Sequence, residues 1–399
     1  MDVAELVELL TPEGLRLLDS LPRYDGMADV VRMVSDLRHA GHPPGLVAAV
    51  LTQSRLRTRA EAKFGEFARR MLFTEAGLEQ ATRLPVAALH ADRYRTAGLS
   101  RVADLGCGIG GDALAMSAIG LEVTAVEHDE VTAAIAAYNL APWESATVVH
   151  GDAAAADLAG SDGVYLDPAR RTAGHQSTSR IADPDEFSPT LGFALRIASE
   201  RPAGIKLGPG LDRQLIPPEM EAQWVSAGGE VVELGLWSGP LARQGVRRAA
   251  LVLGEHGSAE LTAEGDSADV ETGPLGAVVY EPDGAVIRAR LIGDLARRMD
   301  ARLLSPGIAY LTADDAVATP FASCFRVLAT LPLDERAIGR ELASRDIGTV
   351  EIKKRGVDID PAAFRRRLRP RGEGSGTLIL TRIAGRHAAL VVERVDQPL

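Results

Sequence analysis

The sequence predicts an α/β fold: an open, mostly parallel sheet, preceded by a helical region and followed by a small α+β unit. Three observations predict it. Short apolar runs alternate with helical patterns between Gly98 and Gly254, as consecutive βαβ units do. Val102-Ala-Asp-Leu105 leads into Gly106-Cys-Gly-Ile-Gly-Gly111, then a helical stretch to Ile119, then a second strand whose carboxyl end carries Glu127. Residues 321–399 form a further alternation of strand and helix candidates, separated from the first by a poorly periodic segment.

Size and composition bound the rest. A chain of 399 residues with 46% hydrophobic and 25% charged residues is a soluble globular protein of two or three domains. No apolar run approaches a membrane span, and Met1-Asp-Val-Ala-Glu5 lacks the basic and apolar regions of a signal peptide, so the expected location is the cytoplasm. Two cysteines, Cys107 and Cys324, support neither a disulfide framework nor a metal cluster. A net charge of −11 excludes a general affinity for nucleic acid, so any such contact needs a local basic patch.

Residues 1–97 read as an N-terminal helical domain. Thr11-Pro12 is a helix start, with a capping oxygen followed by a ring that needs no N–H partner. Met27–His39 places Val30, Val31, Met33, Val34 and Leu37 at amphipathic spacing. Pro43-Pro44 breaks the chain before a helix from about Leu46. Arg55, Arg57, Arg59, Lys63, Arg69 and Arg70 follow, a solvated face or a phosphate-contacting one. Phe73 and Leu78 are core candidates, in a stretch, Met71–Thr82, without evident chemistry.

The α/β domain spans 98–256, with strands at 101–105, 122–126, 146–150, 163–167 and 203–207. Asp129 caps a helix over 130–140, and Ser188-Pro189 starts one over 188–199. Gly229–Trp237 and Arg248–Gly254 read as a closing strand pair. Residues 257–320 read as a connecting loop and α/β segment: 255–275 as a mobile surface loop, 280–303 as the start and body of a helix, 306–311 as a strand. In 321–399, strands are expected at 324–328, 349–353, 377–382 and 388–393, with helices at 333–344 and after Asp360-Pro361. Here Lys353, Lys354, Arg355, Arg365, Arg366, Arg367 and Arg369, with Arg371, make the dense basic patch of an acidic chain, the footprint of a phosphate-backbone contact or a solvated basic helix.

Ligands of open α/β sheets sit at the carboxyl ends of the strands, where Gly106, Glu127, Asp152, Asp167 and Lys206 all fall. The glycines alone fit a dinucleotide as well as S-adenosylmethionine (SAM), because Gly106, Gly108 and Gly111 satisfy the dinucleotide fingerprint. Asp104 favours SAM: a carboxylate two residues before the first glycine suits the cationic amino group of a methionine moiety better than a pyrophosphate. Asp152 can meet an adenine amine, and Asp167-Pro168-Ala169-Arg170 ends the fourth strand on the substrate side. Together these resemble the class I SAM-dependent methyltransferases.

Further segments narrow the resemblance: Ala62-Lys-Phe-Gly65, Met71-Leu-Phe-Thr74, Tyr165-Leu-Asp-Pro-Ala-Arg-Arg171, Ile205-Lys-Leu-Gly-Pro-Gly210, Pro306-Gly-Ile-Ala-Tyr310 and Ile347–Gly356. Over nearly its whole length the chain resembles the class I methyltransferase family that carries a THUMP-like C-terminal domain. The resemblance implies a Rossmann-like class I methyltransferase sheet, SAM as cofactor and, by analogy with the THUMP domains of RNA-modifying enzymes, RNA (tRNA or rRNA) as partner. The cofactor set would be Asp104, Gly106, Cys107, Gly108, Gly110, Asp112, Glu127, His128, Asp152 and Asp167: Asp104 on the methionine end, Glu127 on the ribose hydroxyls, Asp152 on the adenine amine. The catalytic set would be Asp167, Pro168, Arg170 and Lys206. Amino-group methyltransferases with an Asn/Asp-Pro-Pro-aromatic motif use the acid and a backbone carbonyl as acceptors for a planar amine. Here Asp167-Pro168 matches, whereas Ala169 and Arg170 replace the second proline and the aromatic. Arg170 could stack its guanidinium on a base or hold a phosphate, with Arg171 and Lys206 also on substrate. Lys206 could equally be a strand-end lysine reaching solvent, and His175 reads as an exposed loop residue. The expected function is methylation of a base amino or ring nitrogen in RNA. The alternatives are a small-molecule or protein methyltransferase, or a SAM-binding RNA-interaction factor without transferase activity.

Overall fold

The structure, a computed structural model, describes residues 3–22, 27–168, 183, 186–254 and 257–395. It divides into two compact units: Met1–Leu207 with Leu236–Ala242, and Gly208–Gly235 with Arg243–Leu399.

In the first unit, six helices precede the sheet: α1 (Val3–Leu9), α2 (Pro12–Ser20), α3 (Met27–His39), α4 (Pro44–Phe64), α5 (Glu75–Gln80) and α6 (Leu84–Thr96). Thr11 caps α2 as its position before Pro12 predicts, accepting from the Gly14 N–H at 3.0 Å. The sheet then alternates β1 (Arg101–Leu105), α7 (Gly111–Ala118), β2 (Glu122–Glu127), α8 (Glu130–Leu140), β3 (Ala146–His150), β4 (Gly163–Leu166), α9 (Leu191–Glu200) and β5 (Ala203–Leu207). The spatial order is β3-β2-β1-β4-β5, all parallel. The strand order reverses at β1, the place where open parallel sheets bind ligands at their carboxyl ends. The helix expected over 188–199 begins later, at Leu191, because Thr190 rather than Ser188 supplies the capping oxygen to the Phe193 N–H.

The helices and the sheet share one core. Phe64, Leu72 and Phe73 from the N-terminal region pack with Ile109, Met116 and Leu140. Two side-chain amides replace a neighbouring strand for the 72–73 backbone. Asn139 binds the N–H and C=O of Leu72 at 2.8 and 3.0 Å, and Gln53 binds those of Phe73 at 3.0 and 2.7 Å. Asn139 also donates to the Ile109 carbonyl at 2.9 Å, so it holds the glycine turn from beneath. Tyr94 of α6 stitches β4 to β5: its hydroxyl donates to the Val164 carbonyl at 2.7 Å and accepts from the Gly204 N–H at 3.1 Å. Only glycine fits at 204, since a Cβ there would lie 2.6 Å from the Trp237 ring and 2.8 Å from the Tyr94 oxygen. Tyr94→Phe strands two buried backbone groups and is expected to cost about 1–3 kcal/mol; urea denaturation of the two chains measures it.

The second unit contains β6 (Glu221–Ala227), β7 (Glu230–Trp237, whose last two residues belong to the first unit), β8 (Arg248–Gly254), β9 (Gly257–Ala263), β10 (Val278–Pro282), α10 (Gly284–Arg288), α11 (Ile292–Arg298), β11 (Arg302–Leu303), β12 (Leu311–Ala313), β13 (Ala322–Pro332), α12 (Glu335–Ser344), β14 (Ile347–Lys354), α13 (Pro361–Leu368), β15 (Gly374–Ile383) and β16 (Arg386–Arg394). Four expectations are corrected here. The runs 229–237 and 248–254 do not pair, because both edges of β8 are taken, by β6 in parallel and β9 antiparallel. β6 escapes a hydrophobicity reading because it carries Glu221 and Gln223, yet all seven of its residues are buried. Glu221 is tolerated there because the Arg243 guanidinium meets it at 2.6 Å. The loop expected over 255–275 contains β9, which gains order from backbone pairing while burying only Leu261. The helix expected over 280–303 is broken into β10, α10, α11 and β11. Val278-Val-Tyr280 pairs on both edges with β12 and β13, and Asp283 caps a new helix at the Ala285 N–H, 2.7 Å away. The strand expected at 306–311 begins only at Leu311, after a turn with Gly307 at φ +68°.

A seven-stranded sheet, β11-β12-β10-β13-β16-β15-β14, runs through this unit. One face packs under α12 and α13, through Ile338, Leu342 and Phe364 against Ile352, Leu378 and Val391. The other face buries Val279, Tyr310, Phe325, Ile379 and Leu390. Among the described residues, no helix is long and apolar enough to cross a membrane.

Candidate active site

Register alone gathers the site in the first unit. Leu105 pairs with Val126 and Leu166, Glu127 with His150, and Leu166 with Ile205. The residues that follow these pairs therefore leave the sheet along one edge. Gly106, Gly108 and Gly110 turn the chain with φ of +83°, +57° and +84°, the left-handed region that side chains resist. A Cβ at Gly106 would also stand 3.3 Å from the Asp167 carbonyl. Gly106→Ala is thus expected to displace both strand ends, costing about 1–2 kcal/mol of stability and weakening cofactor binding; calorimetric titration and thermal melts report the two effects.

Asp104 carries the clearest mark of a ligand. It is 1% exposed, and neither carboxylate oxygen has a hydrogen-bond partner among the described residues. Burial, then the charges of Asp112 and Asp167, pushes its pKa well above the ordinary carboxylate value. A buried acid in that condition fits the ammonium of a methionine moiety. Glu127 is held ready by two backbone donors, Gly108 N–H at 3.0 Å and Asp129 N–H at 2.9 Å, which orient the carboxylate as an acceptor for hydroxyls. The Cys107 thiol is buried and its pKa is pushed up by burial and by Asp104, so it fills space as an un-ionised group.

Asp112 lies in the first turn of α7, but both of its oxygens are engaged by protein. Thr82 donates to one at 2.6 Å, and His90 Nδ1 meets the other at 2.8 Å. The Tyr165 hydroxyl lies 3.1 Å from the same His90 nitrogen. His90 lowers the Asp112 pKa against the opposing pull of burial. This network ties α6 to α7 and β4. His128 is exposed, 3.5 Å from Glu127. Asp152 is also exposed and accepts from the Ala154 N–H at 2.8 Å.

At the end of β4, Asp167 forms an ion pair with Lys206 at the end of β5. Lys206 is buried, so the pairing, not solvent, accounts for its place on the strand. Lys63 of α4, which charge clustering had placed on a solvated or phosphate-binding face, instead donates to the carbonyls of Leu78, Glu79 and Ala81 at 2.7–2.8 Å. Burial, with the charges of Lys206 and Arg83, lowers its pKa to about 8. Arg55 and Arg59 are paired with Glu75, and Arg57 with Asp19. Pro168 follows Asp167 directly, whereas Arg170, Arg171 and His175 lie outside the described residues. Asn139, Gln53, Tyr94, His90 and Lys63 were missed as site-shaping residues; their partners lie 15 to 110 residues away, so no local pattern marks them.

In the second unit the sheet divides the expected basic patch. Lys353 is in register with Ile379 and shares its face, where it pairs with Glu281 at 2.8 Å and lies 5.7 Å from the Phe325 ring. Arg355 lies near the same Glu281, 3.8 Å away. Arg365, Arg366 and Arg367 belong to α13, on the opposite face, with Arg369 at its C-terminal cap. All four are exposed, as is Lys354, and Arg367 pairs with Glu335.

Comparison with known proteins places this geometry. Residues 322–394 match the THUMP domain-like family, and residues 2–60 match a domain of unknown function, DUF8688. The chain is 35% identical over 375 residues to an "Uncharacterized S-adenosylmethionine-dependent methyltransferase" found in Mycobacterium tuberculosis strains CDC 1551 and H37Rv, covering 90% of this chain and 99% of the relative. In structure it is similar to a crystal structure described as "putative methyltransferase from Porphyromonas gingivalis W83", with a TM-score of 0.67, 20% identity, and 93% of this chain and 99% of that one covered. With S-adenosylmethionine as the cofactor, the dinucleotide alternative falls away. With its Rossmann-like sheet, N-terminal helices and C-terminal α+β domain, the chain belongs to the family of S-adenosylmethionine-dependent methyltransferases that carry a THUMP-like domain.

Proposed function

We propose that the enzyme methylates a nitrogen on a base of RNA, with tRNA or rRNA as substrate. The observation that carries the reading is Asp167 at the end of β4, charge-paired with Lys206 and followed by Pro168, in a chain whose residues 322–394 are THUMP domain-like. SAM supplies an electrophilic methyl group on a sulfonium. Asp104 anchors the amino group of the cofactor, Glu127 its ribose, and Asp152 its adenine. Asp167 accepts from the substrate amine and orients its lone pair for in-line attack, with the Pro168 carbonyl as a second acceptor. With the cofactor held by these residues its methyl group would be available for transfer to that nitrogen, and the proton displaced from the amine would pass to solvent. Lys206 holds the Asp167 carboxylate in place. Arg170 and Arg171 are assigned to substrate.

Contact with the RNA backbone is assigned to Arg365, Arg366 and Arg369 on and after α13, with Lys354. Lys353 and Arg355 are already engaged by Glu281, and Arg367 by Glu335. Mass spectrometry of RNA nucleosides from cells with and without the protein tests the reading. A methylated nucleoside absent from the deletion strain, and restored by the wild-type gene, is expected. Identical nucleoside profiles would remove the RNA assignment.

A further inference from the structure

A cavity of about 470 Å³ in the second unit is not used by any step above. Part of its wall is apolar, from Trp224, Val231 and Ile287. Arg213, Arg288 and Arg355 also line it, and among the described residues no carboxylate does. Three arginines lining one hollow, in a chain of net charge −11, make a local concentration of positive charge. Each is braced by other groups. Arg213 donates to Asp266 at 3.0 Å, Arg288 donates to the Pro209 carbonyl at 2.9 Å, and Arg355 lies 5.5 Å from the Tyr310 ring. A guanidinium has five donors, so these contacts leave donors on Arg213 and Arg288 for a ligand, while Arg355 also faces Glu281 at 3.8 Å. The Arg355 Nε is buried without a hydrogen-bond partner. An apolar wall with convergent donors for an anion suits a flat, weakly polar body that carries a phosphate.

We propose that this cavity seats one nucleotide of the RNA substrate, its base against Val231 and Ile287 and its phosphate on Arg213 and Arg288, thereby anchoring the strand. The inference rests on the RNA reading above and adds a second, separately placed contact to it. Phosphate contacts of this kind set the register of a strand without reading its sequence.

The test uses the full chain and a mixed-sequence 20-mer RNA containing 4-thiouridine. Photo-crosslinks are expected on the peptides that hold Pro209–Arg213 and Gly284–Arg288. In fluorescence anisotropy, the Arg213→Ala/Arg288→Ala double variant is expected to bind the same RNA about tenfold more weakly, and the slope of log affinity against log salt to fall by about 0.7, the loss of one phosphate contact on a single strand. SAM binding by calorimetry is expected to match wild type. If thermal melting shows the double variant unfolded, Ile287→Trp, which fills the hollow and leaves the charges, takes its place with the same tenfold loss expected. Wild-type binding with unchanged variants and crosslinks confined to other peptides overturns the cavity assignment alone. A wild-type chain that binds no RNA at low salt overturns the RNA reading, and this inference with it.

Discussion

Asp104→Asn is expected to make the cofactor-free enzyme more stable while it loses tight SAM binding. The carboxyl is 1% exposed, with neither oxygen hydrogen-bonded among the described residues, and burial raises its pKa well above the ordinary value. An unfolded aspartate ionises near pH 4, whereas the folded chain retains the proton to higher pH. Between those two values the folded state binds more protons than the unfolded state, so this group lowers stability as pH rises. A neutral amide of the same shape removes that loss. The gain should be about 1–2 kcal/mol at neutral pH, growing with pH from about 4. In urea melts at pH 5 and pH 8, the gap between the two chains should be wider at pH 8. Cofactor binding runs the other way. The methionine ammonium stabilises the carboxylate, so wild-type affinity should rise with pH across the same interval. Losing one partner of such a buried pair costs about 2–5 kcal/mol, on the order of 100-fold in Kd. Titration calorimetry should find the variant weak at every pH. Wild-type affinity in Asp104→Asn would withdraw the assignment.

Asp167→Ala and Lys206→Met are expected to lower methyl transfer by about 10²–10⁴-fold, with SAM affinity within a few-fold of wild type. Ala at 167 removes the side-chain acceptor that the substrate amine needs. Lys206 acts through Asp167, with which it is charge-paired. Removing it takes away the ammonium paired with that carboxylate. Lys206→Arg, which restores a cation, should recover part of the rate, a rescue that a purely packing role would not show. Single-turnover assays on cellular RNA separate kcat from cofactor Kd. Full activity in Asp167→Ala would move the acceptor to another group.

The glycine turn was legible because its chemistry is local: three residues at positive φ sit within five positions of one another. The ends of β1, β2, β3, β4 and β5 were legible for a related reason, since parallel strands in register bring their carboxyl ends together whatever the length of chain between them. The helix over 280–303 was misread because Tyr280–Arg288 does contain one short helix, while Val278–Pro282 is recruited into a sheet by strands on both sides. β6 was invisible because Glu221 can be buried only if Arg243, 22 residues later, comes back to meet it. The basic clusters around 353 and 365 look contiguous in sequence, yet Lys353 and α13 take opposite faces of one sheet.

By itself the amino-acid order determined the β-α alternation, the turn that admits a cofactor, and the acids that end the strands, because these follow from periodicity, backbone freedom and charge along short stretches. Only the tertiary structure decided which acid is left unsatisfied. Asp104 and Asp112 are buried aspartates on either side of the glycine turn, but Thr82 and His90 reach Asp112, whereas among the described residues no hydrogen-bond partner reaches Asp104. That difference comes from side chains of distant helices folded onto the sheet. In a low-dielectric interior a hydrogen bond given or withheld decides whether a carboxylate holds the fold or waits for a ligand.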